Sequence, residues 1–166
     1  MIIVCPLHAA PGLVTTSKAS HAISLLSPET PFPVFRELTS DRHLKLTLHD
    51  ITAPSPGLNA PAANDAQRLV AFIEDWDGVA PMLIHCWAGI SRSTASAFTA
   101  MCMMRDEPED VLAWELRNAS ASATPNHLLI AHVDKILGRN GRMVTAINAI
   151  GRGAEAFEGI PFELKT

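Results

Sequence analysis

Thirteen consecutive residues decide the fold, and they read Pro81-Met82-Leu83-Ile84-His85-Cys86-Trp87-Ala88-Gly89-Ile90-Ser91-Arg92-Ser93. The first six residues form a short apolar run that predicts a buried strand. From Ser91 onward, an Ala- and Met-rich stretch as far as Met104 predicts a helix. The residues in between therefore form a loop that joins a strand to the N-terminus of a helix.

Outside this stretch, strand and helix patterns alternate along the chain. Residues 2–7, 22–26 and 43–49 predict strands, and Leu44, Leu46 and Leu48 alternate on one face of the third. Helices are predicted at residues 11–19, 64–76, 108–117, 124–137 and 142–150, with Thr124 as N-cap and Pro125 as first helical residue of the fourth. We therefore predict a three-layer α/β fold, with a central, mostly parallel sheet of about four strands flanked by helices. The tail after about residue 151 has no assigned structure.

Composition indicates one folded domain over residues 1–166. Hydrophobic residues make up 48% and charged residues 18%, and the formal net charge of -4 argues against non-specific nucleic-acid binding. The cysteines Cys5, Cys86 and Cys102 are too scattered for a disulfide framework, and free thiols favour a reducing compartment. We expect a cytoplasmic protein without a signal peptide or membrane span. The sequence leaves open the oligomeric state and any redox role of Cys5 or Cys102.

The loop from Cys86 to Arg92 has the features of a phosphate site. Backbone N–H groups ahead of a helix point toward one spot, and the helix dipole adds partial positive charge there. Gly89 permits a backbone angle that other residues resist, and the Arg92 fork can hold two phosphoryl oxygens. The same positive field favours the thiolate of Cys86, which is the nucleophilic form. The predicted phosphate-binding residues are Trp87, Ala88, Gly89, Ile90, Ser91 and Arg92.

Residues 85–93 resemble the protein tyrosine and dual-specificity phosphatase superfamily, because they meet every fixed position of H-C-x-x-G-x-x-R-[S/T]. The resemblance implies a cysteinyl-phosphate intermediate on Cys86 and phosphoryl binding by Arg92. It further implies that Ser93 helps the sulfur to leave and that His85 orients the loop. The alternative is an ordinary strand–turn–helix junction with a buried cysteine.

The leaving group needs a proton, and the resemblance implies an Asp on a loop upstream of the cysteine. Asp50 fits this position best, since it follows the third predicted strand and precedes a Pro-rich loop. The alternative for Asp50 is a turn residue. The element Thr124-Pro125-Asn126 resembles the Pro-Asn element of dual-specificity phosphatases, which implies that Asn126 braces the phosphate loop. A surface Asn at a helix start is equally compatible with this sequence.

These residues predict hydrolysis of phosphomonoesters, with phosphorylated protein, above all phosphotyrosine, or a small phosphomonoester as substrate. Tyrosine-only and dual specificity are not separated. A phosphoinositide phosphatase is less favoured because residues 87–91 contain no Lys. A sulfur-transfer enzyme of rhodanese type and a non-catalytic phosphotyrosine-binding module remain alternatives. No metal or cofactor is expected, because the histidines form no ligand motif.

Overall fold

Five strands form one sheet, and six α-helices cover it in the computed structural model, which describes residues 1–166. In chain order the elements are β1 (Ile2–Pro6), α1 (Ala10–Ser17), β2 (His21–Leu26), β3 (His43–Thr47), α2 (Ala63–Glu74), β4 (Met82–Cys86), α3 (Arg92–Met104), α4 (Glu109–Ala119), α5 (His127–Ile136), α6 (Arg142–Ile150) and β5 (Phe162–Leu164). The sheet order is β3-β2-β4-β1-β5. The predicted α/β class is confirmed.

Strand β4 lies at the centre of the sheet, which sets the position of Cys86. β1, β2, β3 and β4 run parallel, and Pro6 pairs with Cys86 while Ser24 pairs with His85. The carboxyl ends of the parallel strands therefore meet at one edge, where α/β proteins bind ligands.

The fifth strand, β5, lies in the tail that the sequence left unassigned, and it pairs antiparallel with β1. The sheet therefore has one strand more than the predicted number of about four. The strand has only three residues, so no alternating pattern can be recognised in it.

Two apolar layers enclose the sheet and confirm the three-layer arrangement. A cluster of 33 buried residues fills the space between one face and helices α2 to α6, with Phe98 of α3 fully buried in it. A smaller cluster of eight packs α1 against the other face, using Ala10 and Val14. No helix combines the length and apolar character that crossing a bilayer would require.

The start of α5 differs from its prediction. Asn126, rather than Thr124, is the N-cap, because its side-chain oxygen accepts from the Leu129 N–H at 3.1 Å. The Thr124 hydroxyl instead donates to the Ser122 carbonyl at 3.0 Å. The backbone N–H groups of Thr124 and Asn126 bond to residues 90 and 91, which holds this segment beside the loop that follows β4 and delays the helix.

Candidate active site

Residues 86–92, hereafter the phosphate loop, run from the end of β4 to the first residue of α3. The carbonyl oxygens of five of these residues (86, 87, 88, 90 and 91) are bound by groups outside the loop. The His85 ring Nδ1 lies 3.3 Å from the Cys86 oxygen. Four backbone N–H groups bind further carbonyls: Leu7 to Trp87 at 3.1 Å, Gly159 to Ala88 at 2.8 Å, Thr124 to Ile90 at 2.9 Å and Asn126 to Ser91 at 3.3 Å.

The outward carbonyls fix the direction of the loop amides. Because a peptide unit is planar and trans, its N–H points opposite to its C=O. The N–H groups of Trp87, Ala88, Ile90 and Ser91 donate to no protein atom, and that of Gly89 donates to the Cys86 sulfur. The loop therefore presents a concave set of free N–H groups at a helix N-terminus, which is an anion-binding arrangement.

Only glycine fits at position 89. Its φ is +72°, a left-handed conformation that side chains disfavour. A Cβ atom there would lie 2.7 Å from the Cys5 carbonyl carbon and the Pro6 nitrogen. The glycine thus lets the phosphate loop close against β1.

The Cys86 sulfur lies under the loop amides, and the residue is 1% exposed. Its Sγ is 3.2 Å from the Gly89 nitrogen and 3.2 Å from the Ser93 hydroxyl oxygen. Two polar contacts of this kind suit a sulfur anion, which accepts hydrogen bonds.

The other two thiols lie in different surroundings. Cys5 packs in the smaller cluster, on the opposite face of the sheet from Cys86. Burial raises the pKa of both the Cys5 and Cys102 thiols to about 12, which keeps them protonated and unreactive.

Arg92 is 4% exposed, and its guanidinium is held from one side only. Nη1 donates to the Leu48 carbonyl at 2.8 Å and to the Ser27 hydroxyl at 3.3 Å. Nε is buried and donates to nothing; the nearest acidic oxygen, Oδ2 of Asp50, lies 3.8 Å away. An unpaired buried N–H costs about 1–3 kcal/mol, so this atom is available for an oxygen of a bound anion.

Asp50 lies beside the phosphate loop although it is 42 positions before Arg92 in sequence. Its Oδ1 accepts from the Ser91 hydroxyl at 2.6 Å and from the Asn126 amide at 2.9 Å. Asn126 also donates to the Ile51 carbonyl at 3.1 Å. The carboxylate is thus oriented through one oxygen, while Oδ2 makes no hydrogen bond and lies 3.8 Å from Nε of Arg92.

His85 is fully buried and connects to a second histidine through a serine. Its Nε2 lies 2.6 Å from the Ser24 hydroxyl, which lies 2.7 Å from Nε2 of His43. Burial lowers the pKa of both imidazoles to about 4, with Arg92 adding to the effect on His85 and Lys45 to that on His43. Both rings are therefore neutral near pH 7.

Because both rings are neutral, the donor and the acceptor of each hydrogen bond that links His43, Ser24, His85 and the Cys86 carbonyl can be assigned. A carbonyl can only accept, so Nδ1 of His85 carries the hydrogen that faces Cys86. Nε2 of His85 must then accept from Ser24, and the Ser24 oxygen accepts from Nε2–H of His43. His43 and Ser24 thus hold His85 in the tautomer that binds the phosphate loop.

The residues predicted from sequence come together around one point. His85, Cys86, Asp50, Arg92 and Ser93 all lie at or against the loop, and so does Asn126. Trp87 lies at its rim, 45% exposed. Sequence reasoning missed Ser24, His43 and the tail residue Gly159, whose contacts depend on strand register and chain path rather than on a local pattern.

A cavity of about 280 Å³ opens beside Asp50. Asp50, Thr52 and Ser91 line one side of it, and the tail residues Arg152 and Glu155 line the other. The tail therefore lies close to Asp50 and to the second half of the loop.

Comparison with known proteins identifies the fold. No protein-family model matches the sequence, and no curated protein matches it. Among solved structures, DUSP15 superposes with a TM-score of 0.62 at 18% identity, covering 89% of this chain and 90% of that chain. The human tyrosine phosphatase-like serine/threonine/tyrosine-interacting protein gives 0.63 at 18% identity, covering 84% and 92%. PTPMT1 in complex with PI(5)P gives 0.60 at 14% identity, covering 84% and 94%. The chain has the dual-specificity phosphatase fold.

Proposed function

We propose that this chain, which has the dual-specificity phosphatase fold, is a cysteine-dependent phosphatase that hydrolyses phosphomonoesters. One observation carries the proposal: the Cys86 sulfur accepts from one amide of a loop whose other N–H groups are unpaired, and the guanidinium Nε of Arg92, the last residue of this loop, is buried and unpaired. A phosphoryl group would satisfy these donors while its phosphorus faces the sulfur. The fold shared with solved phosphatases supports the same reaction class.

In the first step, the Cys86 thiolate attacks phosphorus and forms an S–P bond. The bond from phosphorus to the leaving oxygen breaks, and that oxygen takes a proton from Oδ2 of Asp50. The loop amides and the Arg92 guanidinium stabilise the charge on the equatorial oxygens. Asp50 is anchored through Oδ1, so its free oxygen is the one positioned to donate.

In the second step, a water molecule attacks the phosphocysteine. The Asp50 carboxylate takes a proton from this water, the S–P bond breaks, and inorganic phosphate leaves. The sulfur departs as an anion, and the Ser93 hydroxyl at 3.2 Å donates a hydrogen bond to it. No metal or cofactor takes part in either step.

For the substrate, we infer a phosphorylated protein, with phosphotyrosine as the first choice. The interior of the loop, residues 87–91, offers no Lys for the additional phosphates of an inositol headgroup. The PTPMT1 structure contains PI(5)P, so a phosphoinositide panel is the direct comparison. Faster turnover of PI(5)P than of phosphotyrosyl peptides would contradict the choice of a protein substrate.

The test of the reaction is turnover of p-nitrophenyl phosphate by the wild type, Cys86→Ser and Cys102→Ala. Cys102→Ala is the matched control, because it removes a buried thiol near the C-terminal end of α3, whose N-terminus follows the loop. We expect Cys86→Ser to abolish turnover and Cys102→Ala to retain it. Turnover that survives Cys86→Ser would exclude the proposal. Vanadate binding by a wild type without turnover would instead favour a binding module.

The role of Asp50 is tested with Asp50→Asn, whose amide oxygen can still accept from Ser91 and Asn126. General acid catalysis typically contributes about 10²–10⁴-fold, and more for a poor leaving group. We expect the loss in kcat to be larger for phenyl phosphate than for p-nitrophenyl phosphate. Equal effects on the two substrates would remove Asp50 from the proton transfer.

A further inference from the structure

The C-terminal tail crosses the outer side of the phosphate loop, and residues 152–160 are called the strap. Both ends of the strap are anchored. Before it, Arg117 donates to the Ile150 carbonyl and to the Gly151 carbonyl, each at 2.8 Å. After it, β5 pairs with β1. The strap is therefore held in place independently of the loop.

Three contacts join residues 157–159 of the strap to the loop and its surroundings. The Gly159 N–H donates to the Ala88 carbonyl at 2.8 Å. The Phe157 ring meets Trp87 edge to face, with centroids 5.3 Å apart. Glu158 lies 3.2 Å from the His8 ring, just after β1. Of the loop carbonyls bound by backbone N–H groups, Ala88 is the one that depends on the tail.

The contact at Ala88 reaches the nucleophile through one peptide unit. The Ala88 carbonyl and the Gly89 N–H belong to the same planar trans peptide, so they point in opposite directions. Holding the carbonyl outward directs the N–H inward, where it donates to the Cys86 sulfur at 3.2 Å. A peptide flip would break both hydrogen bonds together.

We propose that Gly159 is a positioning residue. It acts through the Ala88–Gly89 peptide to hold the Gly89 N–H in its hydrogen bond to the Cys86 sulfur, and this hydrogen bond supports the reactivity of the sulfur. Its effect on hydrolysis rests on the proposed phosphatase function, whereas its effect on the sulfur does not. On this proposal, the strap fixes the orientation of a peptide whose N–H contacts the Cys86 sulfur.

The space around Gly159 explains why this position carries no side chain. A Cβ atom there would lie 3.0 Å from the Gly89 oxygen and 3.5 Å from the Ala88 oxygen. The first distance is tight, so the neighbouring atoms must shift. The push falls on the Gly89–Ile90 peptide, which is joined to the Ala88–Gly89 peptide at the Cα atom of Gly89. The methyl group of Gly159→Ala should displace these atoms slightly, and the larger branched side chain of Gly159→Val should displace them more.

The experiment compares the wild type, Gly159→Ala, Gly159→Val and a control, Val14→Ala. Val14 is fully buried in the smaller cluster, away from the strap, so its truncation lowers stability without touching the loop. Two rates are measured on protein shown to be folded by circular dichroism. One is alkylation of Cys86 by iodoacetate, followed by mass spectrometry, and the other is kcat for p-nitrophenyl phosphate.

We expect Gly159→Val to slow both reactions by about 10- to 100-fold, the range found when a hydrogen bond that orients a metal-binding side chain is lost. Gly159→Ala is expected to fall between it and the wild type, and Val14→Ala to stay within about twofold of the wild type. Alkylation at the wild-type rate in the Gly159 variants would overturn the inference. If Gly159→Val does not fold, Gly159→Ala decides by the same criterion. A wild type that alkylates but turns over no phosphomonoester would contradict the proposed function alone.

Discussion

Replacing Ser24 with Ala removes the hydroxyl that joins two neutral histidines. In the folded protein this group donates to Nε2 of His85 and accepts from Nε2–H of His43. The ring of His85 is fully buried, so its nitrogen finds no water once the hydroxyl is gone. His43 is only partly buried and can turn its N–H toward solvent.

The cost follows from this difference in burial. A buried polar atom left without its partner costs about 1–3 kcal/mol, and Ser24→Ala leaves one such atom on His85. We therefore expect the free energy of unfolding in urea to fall by about 1–3 kcal/mol. The control is Ser96→Ala, which removes another fully buried hydroxyl, but one that donates to the helix carbonyl of Arg92 at 3.0 Å. That carbonyl lies within α3 and keeps its helical hydrogen bond, so we expect a smaller loss.

The second measurement is the tautomer of His85, read from side-chain ¹⁵N NMR. In the wild type we expect the proton on Nδ1, because that atom faces the Cys86 carbonyl. Without the Ser24 donor, the tautomer with the proton on Nε2 is no longer disfavoured, and we expect it to become populated. The reasoning is refuted if Ser24→Ala is as stable as Ser96→Ala and His85 keeps its wild-type nitrogen shifts.

Three further predictions concern the pH dependence of stability, the guanidinium group of Arg92 and the hydrogen bonds of Asn126. Since the pKa of His85 is lowered from 6.5 to about 4, the unfolded chain binds this proton first. The pKa of His43 is lowered to about 4 as well. We therefore expect each of the two rings to lower the free energy of unfolding by roughly 3 kcal/mol from pH 7 to pH 4, so the loss in His43→Gln should be smaller by the share of one ring. Arg92→Lys loses the planar fork, so kcat/KM for p-nitrophenyl phosphate should drop about 10²–10³-fold; an unchanged value would show that Arg92 does not hold the phosphoryl group. Asn126→Ala should cost about 1 kcal/mol through the lost N-cap, measured by thermal denaturation. Asn126→Ser should recover the N-cap contribution but not the amide hydrogen bonds to Asp50 and Ile51, so kcat should stay below that of the wild type.

The features that could be predicted from the sequence are those that depend on short, continuous stretches of the chain. The apolar run before Cys86 and the alternation of Leu44, Leu46 and Leu48 predict strands that the structure contains. The spacing from Cys86 to Arg92 predicts the loop, because its chemistry lies in consecutive residues. Asp50 is indicated by the family resemblance, which implies an Asp on a loop that follows an upstream strand. Because parallel strands end at a common edge, such a loop lies near Cys86.

The parts that escaped prediction depend on distant pairings. Ser24 reaches His85 because β2 and β4 are neighbours in a register that places them opposite each other. The strap has no periodicity, and its role comes from where the chain path takes Gly159. Thr124 failed as an N-cap because the loop carbonyls use the backbone of that segment, which moves the cap to Asn126.

The phosphate loop cannot hold its own conformation, and this decides how the site is built. Its amides must stay free for an anion, so its carbonyls need donors from elsewhere. These donors come from the end of β4, the turn after β1, the segment before α5 and the strap, which are far apart in sequence. Closing such long loops is costly in entropy, so the donors assemble only when the whole chain folds. An isolated strand–loop–helix fragment with the complete signature would therefore lack the inward amides.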